Sequence, residues 1–99
     1  MKKEHRARVT FSPDQVKVGL PGVTTTTDPA WLEGTSRGRD EAWSLICQFD
    51  RPPQVQGNPS LATVQFLVPD APHERLQPGA KLHLFERATQ QLATVEILD

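Results

Sequence analysis

Cysteine is nearly absent from this chain. Cys47 stands alone, so no intramolecular disulfide can form, and a reducing, cytoplasmic setting is the expectation. Long apolar runs are missing too. No stretch approaches the roughly 20 residues that a membrane-spanning helix needs. The basic start Met1-Lys2-Lys3-Glu4-His5-Arg6 has no apolar segment behind it, so a secretory signal is not expected. Net charge is also lacking. A formal value of −1 provides no global field to hold nucleic acid or an anionic membrane, and either would need a local patch. With 99 residues there is room for one domain, and a core of that size can stand without metal or disulfide support.

What the chain does have is punctuation. Nine prolines and six glycines leave few uninterrupted windows long enough for a helix. Between the breaks, apolar residues alternate with period two, the pattern of half-buried strands. Ala7, Val9 and Phe11 share one face while Arg6, Arg8 and Thr10 take the other. A turn at Ser12-Pro13-Asp14 follows, and Gln15–Val18 is a possible short continuation. Trp43, Leu45, Cys47 and Phe49 form a second, large apolar face, closed off by Arg51-Pro52-Pro53. Leu61 to Val68 places Ala62, Val64, Phe66 and Val68 together. Pro69-Asp70-Ala71-Pro72 stops that strand, and Gln77-Pro78-Gly79 is a turn. Ala80, Leu82 and Leu84, a connection at Ala88–Gln91, and then Ala93, Val95 and Ile97 make a hairpin. These elements predict an all-β fold, a small closed or partly open antiparallel barrel of about six strands, in which closure protects the edges.

Residues Gly19 to Asp40 show no clear period. Leu20-Pro21-Gly22, Thr24–Thr27, Asp28-Pro29 and Gly34-Thr35-Ser36-Arg37-Gly38-Arg39 read as a long irregular loop. Asp28 as a cap and Pro29 as a first helical residue suggest a helical turn at Pro29–Glu33; an edge strand is the other option.

The run from Leu61 to Arg87 resembles the end of elongation factor Tu, in its C-terminal barrel. There an apolar strand leads through a polar loop to a leucine, a glycine turn, an alternating strand ending in glutamate, and a final strand. Leu76, Gly79, Lys81–Glu86 and Leu92–Leu98 occupy those places here, and Arg8 to Phe11 is similar to the barrel's first strand. Ala88-Thr89-Gln90-Gln91 replaces that family's glycine-rich turn. The spacing GxxxxGK[ST] is absent, so the resemblance implies a barrel without the GTPase domain. The transfer-RNA-contacting residues have no position-by-position match, so RNA binding does not come over with the fold.

Candidate chemistry is sparse. Cys47 alternates with Trp43, Leu45 and Phe49, which places its thiol inward among apolar neighbours, where thiolate is disfavoured. Asp70, His73 and Glu74 form the densest polar group and could serve as a general base with carboxylates, an enzymatic alternative. Against it, no second histidine lies near enough in sequence to complete a metal site, and His83 is expected on an exposed face. Arg6, Arg8, Arg37, Arg39 and Arg51 interleave with Glu4, Asp40, Glu41 and Asp50, which argues for solvated surface over an RNA- or ribosome-binding patch. Trp31 lies beside Leu32 in the irregular segment, where an aromatic either pins its own loop or anchors a partner. The expectation is a non-enzymatic module for protein–protein interaction, with no cofactor and no metal, contacting its partner through Trp31, Arg37 and Arg39.

Overall fold

A computed structural model describes residues 4–12, 24–33, 42–87 and 90–99. Six strands form a closed barrel: β1 (His5–Phe11), β2 (Thr25–Leu32), β3 (Trp43–Phe49), β4 (Ser60–Phe66), β5 (Lys81–Arg87) and β6 (Gln90–Ile97). Their order around the wall is β1-β4-β3-β2-β5-β6, and every neighbouring pair is antiparallel. The all-β barrel expected from the alternation is therefore present, in its closed form.

Alternation builds the core. Val9, Leu45, Val64, Leu82, Val95 and Ile97 are essentially inaccessible. Each such side chain contributes about 1.5–3 kcal/mol when fully buried. Cys47 lies among them at 0% exposure. One end of the barrel is plugged by residues 67–80, whose Ala71 and Leu76 join the core and which include a 3₁₀ turn at His73–Arg75. Gly79, at φ +88°, takes the left-handed conformation that the following turn, closed by Ala80 N–H on the Gln77 carbonyl, requires.

At the other end, a four-residue helix, α1 (Pro53–Gln56), links β3 to β4. Two side-chain amides stand in for backbone here. Gln56 Nε2 donates to the carbonyls of Arg51 (2.8 Å) and Leu61 (2.9 Å), while its Oε1 accepts from Leu61 N–H at 2.8 Å. Asn58 accepts from Phe11 N–H at 2.8 Å and donates to the Phe11 carbonyl at 3.1 Å. Each amide presents a donor and an acceptor as a peptide unit does, so strand edges stay satisfied where the ladder ends.

The structure corrects three expectations. The irregular loop over Gly19–Asp40 contains a strand: Thr25–Ala30 pairs with Trp43–Gln48, and Ala30–Leu32 pairs with Leu82–Leu84. The helical turn at Pro29–Glu33 is absent, because Pro29 lies within β2 opposite Ser44. Phe49 N–H donates to the Thr24 carbonyl, so the ladder of β2 toward β3 runs through the even-numbered residues. The missing N–H of Pro29 is directed away from β3 and costs that ladder nothing. Lastly, Val68 lies beyond β4, 37% exposed, since the chain turns out of the sheet after Phe66. Arg37, Arg39, the Gln15–Val18 continuation and the tip residues 88–89 lie outside the described residues.

Candidate functional site

The two halves of the barrel wall differ in charge. Outward-facing residues of β2 are Thr25, Thr27, Pro29 and Trp31. Those of β3 are Ser44, Ile46 and Gln48, and β4 adds Leu61, Thr63 and Gln65. None carries a charge, in a chain that is 23% charged. The registers align these residues in rows: Thr27 with Ile46 and Gln65, Thr25 with Gln48 and Thr63. The opposite half, from β5, β6 and β1, presents Lys81, Glu96 and Arg8 in one row.

Arg6 and Arg8 of β1 are already engaged, Arg6 by reaching over Thr63 of the wall to Asp50 at the end of β3. Arg6 grips Asp50 with two bonds, 2.7 and 2.6 Å, and also reaches Thr63 Oγ1 at 3.1 Å. The bidentate hydrogen bond holds the Asp50 carboxyl below its ordinary range and raises the Arg6 guanidinium above its own. Arg8 contacts Glu96 at 3.1 Å. Beside Asp50, a depression of about 410 Å³ is lined by Arg51, Val55 and Gln56.

Trp31 sits at the border of the uncharged wall. Its ring stacks on His83 (centroids 4.6 Å, 28° between planes) and lies 6.3 Å from Phe85. The pairing of β2 with β5 puts Trp31 directly opposite His83. His83 Nε2 donates to Glu33 Oε2 at 2.9 Å, and Gln91 Nε2 donates to His83 Nδ1 at 3.0 Å and to Thr94 Oγ1 at 3.2 Å. With Nε2–H given to the carboxylate and Nδ1 accepting from the amide, both imidazole nitrogens are engaged, and the ring is held flat against the tryptophan. With a side chain only 18% exposed, His83 is more covered than the sequence suggests, because Trp31 lies on it. The indole Nε1 is buried and has no hydrogen-bond partner among the described residues.

The polar loop group separates. Asp70 and Glu74 are exposed, whereas His73 is 8% exposed and turns inward. Its Nε2 lies 3.2 and 3.1 Å from the Val68 and Pro69 carbonyls, and its ring meets Phe66 edge-on. The imidazole thus ties its own loop down rather than meeting either carboxylate. Burial pushes the Cys47 thiol up to about 12, the nearby Asp28 charge adds to this, and a hydrogen bond with Thr26 opposes it. Such a thiol is a core group with little nucleophilic character at neutral pH.

Among the described residues, no group of three or more His, Cys, Asp or Glu side chains could hold a metal ion. No described helix is long and apolar enough to cross a membrane. Trp31 was legible in the sequence, but His83 and Phe85 lie some fifty positions away and only barrel closure brings them together. The uncharged wall left a readable signal in the outward positions of β2, β3 and β4. That signal lies in the polar half of each alternation, which says nothing about the core. No family model, curated protein or solved structure matches the chain.

Proposed function

We propose that this chain is a non-enzymatic protein-binding module whose partner docks on the uncharged wall of β2, β3 and β4, with Trp31 at its border. One observation carries the reading: an outer face from three adjacent strands without a charge, on a chain in which 23% of residues are charged. Interface centres are depleted of charged residues in this way, and an aromatic at the margin is a usual anchor. The commitment of His73 and His83 to structural bonds and the raised thiol of Cys47 support a non-enzymatic role. A reducing, cytoplasmic location suits the single thiol.

Kinship with the C-terminal barrel of elongation factor Tu belongs to the same proposal, supported by the strand–loop–hairpin order from Ser60 to Leu98. The RNA-binding alternative draws less support, since Arg6 and Arg8 are paired with Asp50 and Glu96.

The test compares quantitative partner capture by the wild type, Ile46→Lys and Arg8→Glu, each verified as folded by thermal melting. Ile46 is half-buried on the outward face, so lysine there places a charge on the wall without entering the core. Loss of captured protein with Ile46→Lys, and its retention with Arg8→Glu, is the expected result. Equal capture by Ile46→Lys and the wild type would refute the reading.

A further inference from the structure

One group of side chains joins β2, β5 and β6 through atoms that can bond in two ways. His83 of β5 lies opposite Trp31 of β2 and opposite Thr94 of β6. Its Nε2 is 2.9 Å from Glu33 Oε2, and its Nδ1 is 3.0 Å from Gln91 Nε2, which is also 3.2 Å from Thr94 Oγ1. An ionised carboxylate only accepts, so Nε2 keeps its proton whatever the charge of the ring. Nδ1 is therefore the atom that takes the second proton. In the neutral ring it accepts from the Gln91 amide; once protonated it is a donor facing a donor. One turn of that amide removes the conflict. Gln91 is exposed, so its side chain is free to bring Oε1 to Nδ1, and the Thr94 hydroxyl then donates where it had accepted. Each of these groups is bonded in both states.

We infer that His83 is a proton-operated latch on Trp31: protonation reverses the bond with Gln91, charges the contact with Glu33 and pins the indole. In the protonated state the bond to Glu33 joins two ions, which makes it about twice as strong as a neutral one. The positive ring also lies on the face of the indole, with centroids 4.6 Å apart, where a cation is attracted. Both contacts tie β5 to β2. The charged groups around the imidazole among the described residues favour this state or leave it alone. Glu33 faces it from the end of β2, Lys81 lies two residues back on β5, and Glu96 stands opposite Lys81 on β6, while Gln91 and Thr94 are neutral. Trp31 borders the uncharged wall, so a pinned indole presents a fixed anchor and docking tightens as pH falls. That consequence rests on the wall being the docking face; the latch itself does not.

The test follows the isolated chain by fluorescence and nitrogen NMR from about pH 8 to about pH 5, the interval in which imidazoles change charge. Trp43→Phe leaves Trp31 as the single indole. A stacked imidazolium quenches indole, so Trp31 emission falls in one step that coincides with protonation of His83 Nδ1 and with a shift of the Gln91 side-chain amide. His83→Gln abolishes the step. Gln91→Glu offers Nδ1 an acceptor in place of a donor and moves the step up by about one pH unit or more, whereas Glu33→Gln moves it down. Both positions are exposed, so these two variants leave the core untouched. A step that survives His83→Gln, one that Gln91→Glu leaves in place, or a Gln91 amide that ignores His83 protonation overturns the latch. Partner capture is then compared at the two ends of the interval, with stronger capture expected at the acid end. Capture that Ile46→Lys abolishes but pH does not change refutes control of docking and leaves the wall standing. A normal step with capture indifferent to Ile46→Lys leaves the latch standing and refutes the wall.

Discussion

Replacing Gln56 by glutamate keeps the shape of the side chain and removes its donors. The bond from Leu61 N–H survives, since a carboxylate oxygen accepts as well as an amide oxygen. The bonds to the Arg51 and Leu61 carbonyls, 2.8 and 2.9 Å in the native chain, are lost, and a negative oxygen then faces each carbonyl. Two neutral hydrogen bonds amount to roughly 2 kcal/mol. The site is half-buried, and water that reaches the released carbonyls returns part of that, so Gln56→Glu destabilises by about 1–2 kcal/mol. For a domain of this size the melting temperature falls by roughly 5–15 °C. Circular dichroism melts and urea titrations at neutral pH measure the loss directly. A pH series adds a signature: below about pH 4 the introduced carboxyl is protonated, one donor returns, and the deficit shrinks. A variant within about 0.3 kcal/mol of the wild type, or a deficit that widens on acidification, would show that Gln56 does not hold α1 against β4.

Two further expectations concern titration. The Cys47 thiol is raised to about 12 in the fold, so between about pH 8.5 and that value the unfolded chain has lost a proton which the folded chain keeps. Stability therefore falls as pH rises, by up to about 1.4 kcal/mol per pH unit from this group; Cys47→Ala removes that slope, and an equal slope in both proteins would contradict the burial. Asp50 behaves oppositely. The Arg6 hydrogen bond lowers its folded-state value, so the stabilisation is complete above the ordinary aspartate range and disappears as pH falls through the lowered one. Because both side chains are 42% exposed, Asp50→Asn costs below about 1 kcal/mol at neutral pH, and less in high salt; a larger or salt-independent cost would be against it.

Strands β3 and β4 were readable because their buried faces alternate without interruption from Trp43 and from Ala62. β2 was legible only as the edge-strand option beside a helical turn, and Asp28-Pro29 shows why. As a dipeptide it signals a helix start, yet pairing with β3 imposes an extended backbone, and the proline is tolerated because its nitrogen points away from β3. Local signals also missed α1, a single turn among prolines held by Gln56 rather than by helix propensity. His73 was visible as a polar residue beside carboxylates, but its inward turn toward Val68 and Pro69 depends on how the loop plugs the barrel. The stack of Trp31 on His83 depends on closure between β2 and β5, a long-range contact that period-two patterning does not specify.

The central claim is that the uncharged face of β2, β3 and β4 is where a partner protein sits. Photo-crosslinking in living cells tests it most directly, with the reactive group placed singly at Thr27, Ile46 or Gln65 on that face and at Arg8 or Glu96 on the charged one. The prediction is a crosslinked protein from the first three positions and none from the other two. Equal crosslinking from both faces, or crosslinks confined to Arg8 and Glu96, would contradict it.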